Sequence, residues 1–415
     1  MPNCWPASPD ARDRFTLVSW VLLSLLGVFA LLANTPAPRR IFLLLALVAG
    51  LVEWFKQPAR RQASYAFAPW VLVVLASALW SPIPAKTLAD ALWEVISPLA
   101  AGLLAISLAR RIDRRYFWLP FGLLGLFAVP CVLGALHVHA EFWPAAPRFI
   151  VEAYAGRGVA STMGVFLSLI GFFVMVINWR TVTSARSALI FLGGWLLLAG
   201  ILLGVLGHNR MYWFALFVGL LPWLGRIRNC SVKGSFALGG VLLALLLAGV
   251  LYSSYFAKGQ KVLEPDQMVV EIGSAYSTDP RWIIWQNWLA LGAEQPLLGF
   301  GYGSRVLPVI GAKHITTGIP VLEDAARHHA HNVLINIVIQ TGWIGLGCFL
   351  FALYGVWSLI FKRQVNSGLE KPDYWQLAAL SILLAALAKS MTDDFFWGPA
   401  GILMWLFVGI FAARK

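Results

Sequence analysis

Residues 327–343 read R-H-H-A-H-N-V-L-I-N-I-V-I-Q-T-G-W and divide into a polar half and an apolar half. The run 333–339 is apolar apart from Asn336, which predicts the start of a long apolar helix. His331 and Asn332 stand immediately before that run. The stretch therefore predicts a titratable imidazole at the boundary between a water-facing loop and a membrane-spanning helix.

The composition of the whole chain indicates a membrane protein. Of its 415 residues 59% are hydrophobic and only 12% are charged, and the mean hydropathy is +0.74. A water-soluble domain of this composition would aggregate, because so much apolar surface could not be buried. Each spanning helix needs about 20 apolar residues. The length then predicts an all-α polytopic protein of about 12 transmembrane helices, with residues 1–415 forming a single integral membrane domain.

The cysteines and the N-terminal sequence exclude other classes. Four cysteines, at positions 4, 131, 230 and 348, are scattered without C-x-x-C spacing, so neither a disulfide framework nor a structural zinc site is indicated. The first apolar run follows a short polar start and is long enough to remain as an anchor, which argues against a cleaved signal peptide.

The apolar runs predict twelve spans. They lie at residues 16–33, 41–55, 68–80, 88–109, 116–138, 159–179, 187–206, 211–224, 236–256, 333–360, 375–388 and 395–412. The loop between the ninth and tenth spans, residues 257–332, is far longer than an ordinary connection. Within it the sequence R-W-I-I-W-Q-N-W-L-A-L-G, residues 281–292, predicts an amphipathic helix whose tryptophans suit the membrane interface.

Basic residues set the predicted orientation. With the N-terminus in the cytoplasm, 19 of the 32 Lys and Arg residues fall in inner segments, and the even span count places both termini there. The net charge of +13 does not indicate nucleic-acid binding, because no soluble basic domain is present; the inner clusters also attract anionic membrane lipids. Orientation does not explain the outer basic residues. They are Arg39, Arg40, Lys86, Arg148, Arg157, Arg210, Lys258, Lys261, Arg281, Arg305, Lys313, Arg327 and Lys389.

Four residues of the outer face predict an anion-binding site beside a histidine. They are Arg157, Arg210, Arg281 and His331. An arginine at the end of a span can be a simple anchor, but the outer side is the wrong side for orientation arginines. A guanidinium binds phosphate oxygens bidentately and stays charged. Because several arginines at one pocket would repel each other without an anion between them, a lipid-borne diphosphate is the predicted ligand.

The acidic and glycine-rich motifs of the long loop carry weaker signals. The loop has no D-x-D run, and both E-P-D at residues 264–266 and the Glu323–Asp324 pair are better read as solvated charge than as metal ligands. No metal or cofactor is therefore predicted, and arginines are expected to stabilise the leaving diphosphate. The G-x-G-x-G at residues 299–303 indicates a tight turn rather than a phosphate cradle, because it does not join a strand to a helix.

Motifs in the second half of the chain add a family resemblance. H-x-H-N occupies residues 329–332 and T-G-W-I-G-L follows it; upstream lie R-x-x-x-W at 281–285, P-L-L-G-F-G-Y-G at 296–303 and H-N-R at 208–210. Together they resemble the bacterial O-antigen ligase and polymerase family, and most closely its O-antigen ligases. The resemblance extends over the whole chain in span count and in the long late loop. Many relatives have S-R where this chain has Asn209–Arg210, which departs from the pattern.

The resemblance implies a GT-C-like, metal-independent, inverting glycosyltransferase of the bacterial inner membrane. Such enzymes transfer completed O-antigen from undecaprenyl diphosphate to a sugar hydroxyl of lipid A-core on the periplasmic face, which completes lipopolysaccharide. Carried onto this chain, His331 would be the catalytic base, Arg210 and Arg281 would grip the diphosphate, and Arg157 is a further candidate. The acceptor-binding or supporting residues would be His328, His329, Asn332 and Arg327, and much of the active site would lie in residues 257–332.

General physical chemistry agrees with the role of the histidine and leaves alternatives open. The start of a helix carries partial positive charge, which favours a neutral imidazole able to accept a proton. An O-antigen polymerase or a protein O-oligosaccharyltransferase would use the same donor with another acceptor. A transporter of lipid-linked sugar is less favoured, because no internal repeat is clear and the carboxylates within spans lie near span ends. Lys389, Asp393 and Asp394 either line the acceptor entrance or form a local ion pair.

Overall fold

The structure, a computed structural model, describes residues 11–32, 34–56, 65–140, 142–143, 145–154, 156–179, 184–207, 209–223, 281–317, 320–367, 373–392, 396 and 398–413. The described residues form helices joined by turns, with no strand among them, which confirms the predicted all-α class. The predicted ninth span, residues 236–256, lies outside the described residues, as do residues 257–280 of the long loop.

The main helices are numbered in chain order. They are α1 (Ala11–Leu31), α2 (Pro36–Lys56), α3 (Ala68–Ala76), α4 (Pro84–Ala109), α5 (Leu119–Ala140), α6 (Arg157–Asn178), α7 (Ser184–Leu206), α8 (Arg210–Leu220), α9 (Arg281–Gly292), α10 (Val306–His314), α11 (Pro320–His328), α12 (Val333–Ser367), α13 (Tyr374–Lys389) and α14 (Gly398–Ala413). Short helices at Arg114–Phe117 and Arg148–Ala153 and 3₁₀ turns at Ser77–Leu79 and Leu221–Trp223 lie between them. In the described part of the chain, six helical stretches are long and apolar enough to cross a membrane, and four further apolar helices are shorter. The chain is therefore a polytopic membrane protein.

The predicted spans other than the ninth each coincide with a helix. The agreement follows from the length of the apolar runs, which exceeds what a strand or turn would use. The extent and the type of two helices differ from the prediction. Helix α4 contains a π-helical turn at Ala91–Ile96, and α12 continues past its predicted end at residue 360.

Small residues allow the spanning helices to pack closely. A Cβ atom at Gly171 of α6 would lie 2.4 Å from the backbone nitrogen of Leu197 of α7, and one at Gly200 would lie 2.4 Å from the nitrogen of Ser168. Within a membrane, close backbone approach of this kind replaces the hydrophobic effect as the source of helix association. Helix α14 packs against α4 and α13 in the same core.

A turn formed by residues 295–303 fills a break in α12. At Gly342 the backbone leaves the helical conformation, with φ of 66°. Free backbone groups on both sides of the break bond the turn: Phe300 N–H donates to the Ile339 carbonyl at 2.8 Å, and Trp343 N–H donates to the Pro296 carbonyl at 2.8 Å. Irregular backbone at membrane depth must be satisfied inside the protein. The glycine-rich segment is therefore a tight turn, as predicted, and it also completes a spanning helix.

A second, smaller core lies under residues 281–332, here called the outer head. Its buried side chains come from α9, α10, α11 and α12, and they are Ile284, Trp288, Leu291, Val306, Leu307, Ile310, Ile315, Ala326, Ala330 and Ile339. The Trp288 indole N–H donates to the Ala326 carbonyl at 2.8 Å. On the opposite face of α9, Trp282 and Leu289 are 53% and 45% exposed, so the predicted helix is present but carries apolar side chains on both its buried and its exposed face. The outer head packs on the first turns of α12 and fixes where that helix begins.

Candidate active site

Asn332 fixes the start of α12. Its Oδ1 accepts the backbone N–H groups of Leu334 and Ile335 at 3.0 and 3.2 Å, which makes it the N-cap of the helix. Its Nδ2 donates to the carbonyl of Met391, just beyond the end of α13, at 3.0 Å. An N-cap of this type stabilises a helix by about 1 kcal/mol. Asn332 therefore anchors the H-x-H-N motif both to its own helix and to a neighbouring one.

His331 occupies a left-handed backbone conformation. Its φ is 52°, and it is one of two non-glycine residues with positive φ in the described part of the chain. This conformation costs about 1–2 kcal/mol for a residue with a side chain. Flanking bonds hold it: Ala330 N–H donates to Asn336 Oδ1 at 2.9 Å, and Val333 N–H donates to the Ser390 carbonyl at 2.9 Å. Strain that the surroundings maintain in this way is concentrated at functional sites.

The imidazoles of His329 and His331 form a pair. Their ring centroids are 4.0 Å apart with an angle of 48° between the planes. The backbone N–H of His331 donates to Nδ1 of His329 at 3.0 Å. Nδ1 of His329 is therefore the acceptor nitrogen of this contact. His331 is half-buried beside it.

Arg327 and His328 are bonded within α11. Arg327 Nη2 lies 2.9 Å from Glu323 Oε1. The Thr317 hydroxyl and backbone N–H donate to Glu323 and lower its pKa, with a further contribution from Arg327. His328 Nδ1 donates to the Asp324 carbonyl at 2.6 Å. These bonds stabilise the helix that precedes the H-x-H-N motif, which agrees with a supporting role better than with direct anion binding.

The three candidate diphosphate-binding arginines each open a helix. Arg157 begins α6, Arg210 begins α8 and the half-buried Arg281 begins α9, which packs against α12. Asn209 caps α8 through a bond from Met211 N–H to its Oδ1 at 3.0 Å. The side chains of Arg157 and Arg210 lie outside the described part of the structure. That the three guanidinium groups converge with His331 therefore stays a prediction.

Sequence reasoning missed the acidic residues that hold the outer head to the spans. Arg305 Nε donates to Asp90 Oδ1 at 2.7 Å, and the backbone N–H of Ser304 donates to Glu94 Oε2 at 3.3 Å. The Ser304 hydroxyl also donates to Glu94. Ionisable residues in a span are costly and are usually paired for a reason. The available signal was the spacing of Asp90 and Glu94, two carboxylates four residues apart in an apolar run. Their partners lie more than 200 residues away in the sequence.

An apolar cleft opens beside the start of α12. Its walls carry aromatic and aliphatic side chains, and Glu94 contributes a carboxyl group. The described lining residues include Phe67, Trp70, Tyr302, Val333, Phe349 and Trp405. A cleft of this chemistry suits a hydrocarbon chain. Because Val333 follows the H-x-H-N motif directly, the cleft reaches the candidate site.

The described residues contain no group of three or more His, Cys, Asp or Glu side chains arranged to hold a metal ion. The predicted source of positive charge remains the three arginines. The side chain of Arg281 is described, and those of Arg157 and Arg210 lie outside the described part of the structure. Metal independence of the reaction stays a prediction.

Comparison with known families identifies the segment that carries this geometry. Residues 195–350 match the family model described as O-antigen ligase. Over this part the chain is similar to O-antigen ligases. The matched part runs from within α7 into α12 and contains Arg210, Arg281 and the H-x-H-N residues, so the match supports the family resemblance seen in the sequence motifs. O-antigen ligases are glycosyltransferase-like membrane enzymes that act on lipid-linked glycans. The comparison with curated proteins finds no match.

Proposed function

We propose that the protein is an O-antigen ligase of the bacterial inner membrane. It transfers O-antigen from undecaprenyl diphosphate to a sugar hydroxyl of lipid A-core on the periplasmic face. The observation that carries this proposal is His331, a half-buried histidine held in a left-handed conformation at the start of a membrane helix. It lies inside residues 195–350, which match the O-antigen ligase family model. A position that only capped the helix would not require this strain, because Asn332 already supplies the cap.

The proposed reaction is a single displacement. His331 accepts the proton of the acceptor hydroxyl, and the hydroxyl oxygen forms a bond to the anomeric carbon of the glycan. The bond from that carbon to the diphosphate oxygen breaks, and its electron pair leaves with undecaprenyl diphosphate. Because the nucleophile and the leaving group occupy opposite faces of the carbon, the anomeric configuration inverts.

The arginines stabilise the leaving diphosphate. Arg157, Arg210 and Arg281 each stand at the first turn of a helix, where the backbone adds partial positive charge. Removal of one preorganised donor of this kind typically lowers kcat by about 10²–10³-fold. The apolar cleft beside Val333 has walls whose chemistry suits part of the polyprenyl chain, which would hold the diphosphate near the membrane surface.

The test is transfer by the purified protein in detergent with EDTA. The donor is undecaprenyl-diphosphate O-antigen, the acceptor is lipid A-core, and the product is measured by its mobility on a gel. We expect transfer without added metal. The rate should fall by about 10²–10³-fold in Arg281→Ala and by less in Arg281→Lys, which keeps the charge but loses the bidentate guanidinium group. Lys313→Ala, a change at an exposed outer position, is the matched control and should retain full activity.

Two outcomes would change the assignment. Transfer that is lost in EDTA and restored by magnesium would give the role of the arginines to a metal ion. Product formed from two donor molecules, with none formed on lipid A-core, would make the protein a polymerase.

A further inference from the structure

Arg39 and Arg40 form an adjacent cationic pair that neither orientation nor the proposed transfer reaction explains. They are the fourth and fifth residues of α2, on the predicted outer side of the membrane. Arg39 Nη1 is buried and has no hydrogen-bond partner among the described residues. The Arg40 guanidinium lies over the ring of Trp93, 5.9 Å from its centroid. The ion pairs of the described residues include none with either arginine.

The electrostatic setting of this pair is unfavourable without an anion. Burial lowers the pKa of Arg39, and the positive charge of Arg40 lowers it further. Both arginines also lie near the positive end of the α2 backbone dipole, where cations are disfavoured. Each of these guanidinium groups is stabilised when an anion with several acceptor oxygens binds it.

The pair is connected to the candidate active site through α4. Trp93, under Arg40, belongs to the π-helical turn of α4 and directly precedes Glu94. Glu94 bonds Ser304 of the outer head and lines the apolar cleft together with Val333. A headgroup bound at the arginine pair would therefore lie against the helix that forms one wall of the cleft.

We propose that Arg39 and Arg40 bind the phosphomonoester headgroup of a lipid in the outer leaflet. A phosphomonoester carries about −1.5 to −2 charges and three acceptor oxygens, which matches two adjacent guanidinium groups, whereas the phosphodiester of an ordinary phospholipid carries a single charge. The Trp93 ring supplies an apolar surface for the lipid beside the headgroup. The binding itself does not depend on the proposed function; its use to hold a phosphorylated acceptor glycolipid does.

The test is lipid binding by the full-length protein in nanodiscs of phosphatidylcholine, measured by native mass spectrometry. The added probes are phosphatidic acid and lipid A, which carry phosphomonoesters, and phosphatidylglycerol, which carries a phosphodiester. We expect the two monoester lipids to bind at least about tenfold more tightly than phosphatidylglycerol, since about 1.4 kcal/mol corresponds to tenfold. The Arg39→Gln/Arg40→Gln variant should lose this preference. Arg148→Gln, which changes an exposed outer arginine already paired with Glu152, should keep it.

A second measurement identifies which phosphorylated lipid the pair serves. If the lipid is the acceptor, the Arg39→Gln/Arg40→Gln variant raises the KM for lipid A-core about tenfold and leaves the KM for the donor unchanged. A dephosphorylated acceptor should show the same rise with the unaltered protein and no further rise with the variant. If the double variant leaves the acceptor KM unchanged while the unaltered protein binds monoester lipids preferentially, the site serves a phosphorylated membrane lipid other than the acceptor. Absence of any transfer with retained monoester binding contradicts the proposed function and leaves the lipid site standing.

Three results would overturn the lipid site. They are equal binding of phosphatidylglycerol and phosphatidic acid, an unchanged preference in the double variant, and an equal loss in Arg148→Gln. The Arg39→Lys/Arg40→Lys variant is the control for misfolding. It keeps both charges and should retain part of the preference for monoester lipids.

Discussion

Replacement of His331 by alanine is expected to lower the transfer rate by about 10²–10⁴-fold, because a positioned general base contributes about that factor. Binding of the donor should be unchanged, since the diphosphate is held by arginines. The measurement is single-turnover transfer with saturating donor, beside a separate assay of donor binding. Equal rates for the alanine variant and the unaltered protein would remove His331 as the base.

His331→Gly separates the strain at this position from its chemistry. Alanine keeps the left-handed strain of about 1–2 kcal/mol, which exceeds the extra chain entropy of glycine, about 0.5–1 kcal/mol. The glycine variant should therefore unfold at a higher temperature than the alanine variant, while both lack transfer activity. A more stable alanine variant would show that the surroundings do not impose the positive φ.

The second large effect is expected at Gly342, where α12 breaks. A Cβ atom there would lie 2.0 Å from the Leu297 carbonyl oxygen, and the φ of 66° disfavours any side chain. Gly342→Ala must therefore displace the turn that bonds the break, and we expect it to destabilise the protein by about 3 kcal/mol or more, the range typical of a buried backbone clash.

Gly347→Ala in the same helix is the matched control. No atom lies within 4 Å of the position that its Cβ would take. Alanine favours the helix over glycine by about 0.8–1.0 kcal/mol, so this variant should be as stable as the unaltered protein or slightly more so. Gly342→Ala and Gly347→Ala are compared by thermal unfolding in detergent. Equal unfolding temperatures for the two variants would contradict the role assigned to the turn at residues 295–303.

The helices were largely predictable from the sequence because membrane spans are long, local and apolar. The runs that became α6 and α7 gave boundaries within a few residues of the observed ones. The break in α12 was not predicted, because T-G-W lies inside an apolar run and its partner carbonyls, at residues 296 and 297, are remote in sequence. The glycine-rich segment was read as a turn, but what it packs against is a tertiary property.

The candidate site was predictable in its residue types and only partly in its geometry. His331 and Asn332 were placed at a helix boundary, and the structure starts α12 at Val333. The left-handed φ of His331 and the bond from Asn332 to Met391 depend on contacts with the end of α13, which local sequence does not encode. Lys389, read as an outer charge, is fully buried at the end of α13. Asp393 and Asp394 lie outside the described residues.

The proposed function depends most on which side of the membrane the outer head occupies. In a variant without its natural cysteines, Lys313→Cys would place one thiol at an exposed position of α10. Arg114→Cys would place one at an exposed position of a short helix predicted to be cytoplasmic. Both are treated with a membrane-impermeant maleimide in intact spheroplasts. The account predicts labelling at position 313 without lysis and labelling at position 114 only after lysis. Labelling at position 313 only after lysis would put the histidine pair on the cytoplasmic side and contradict a periplasmic ligase.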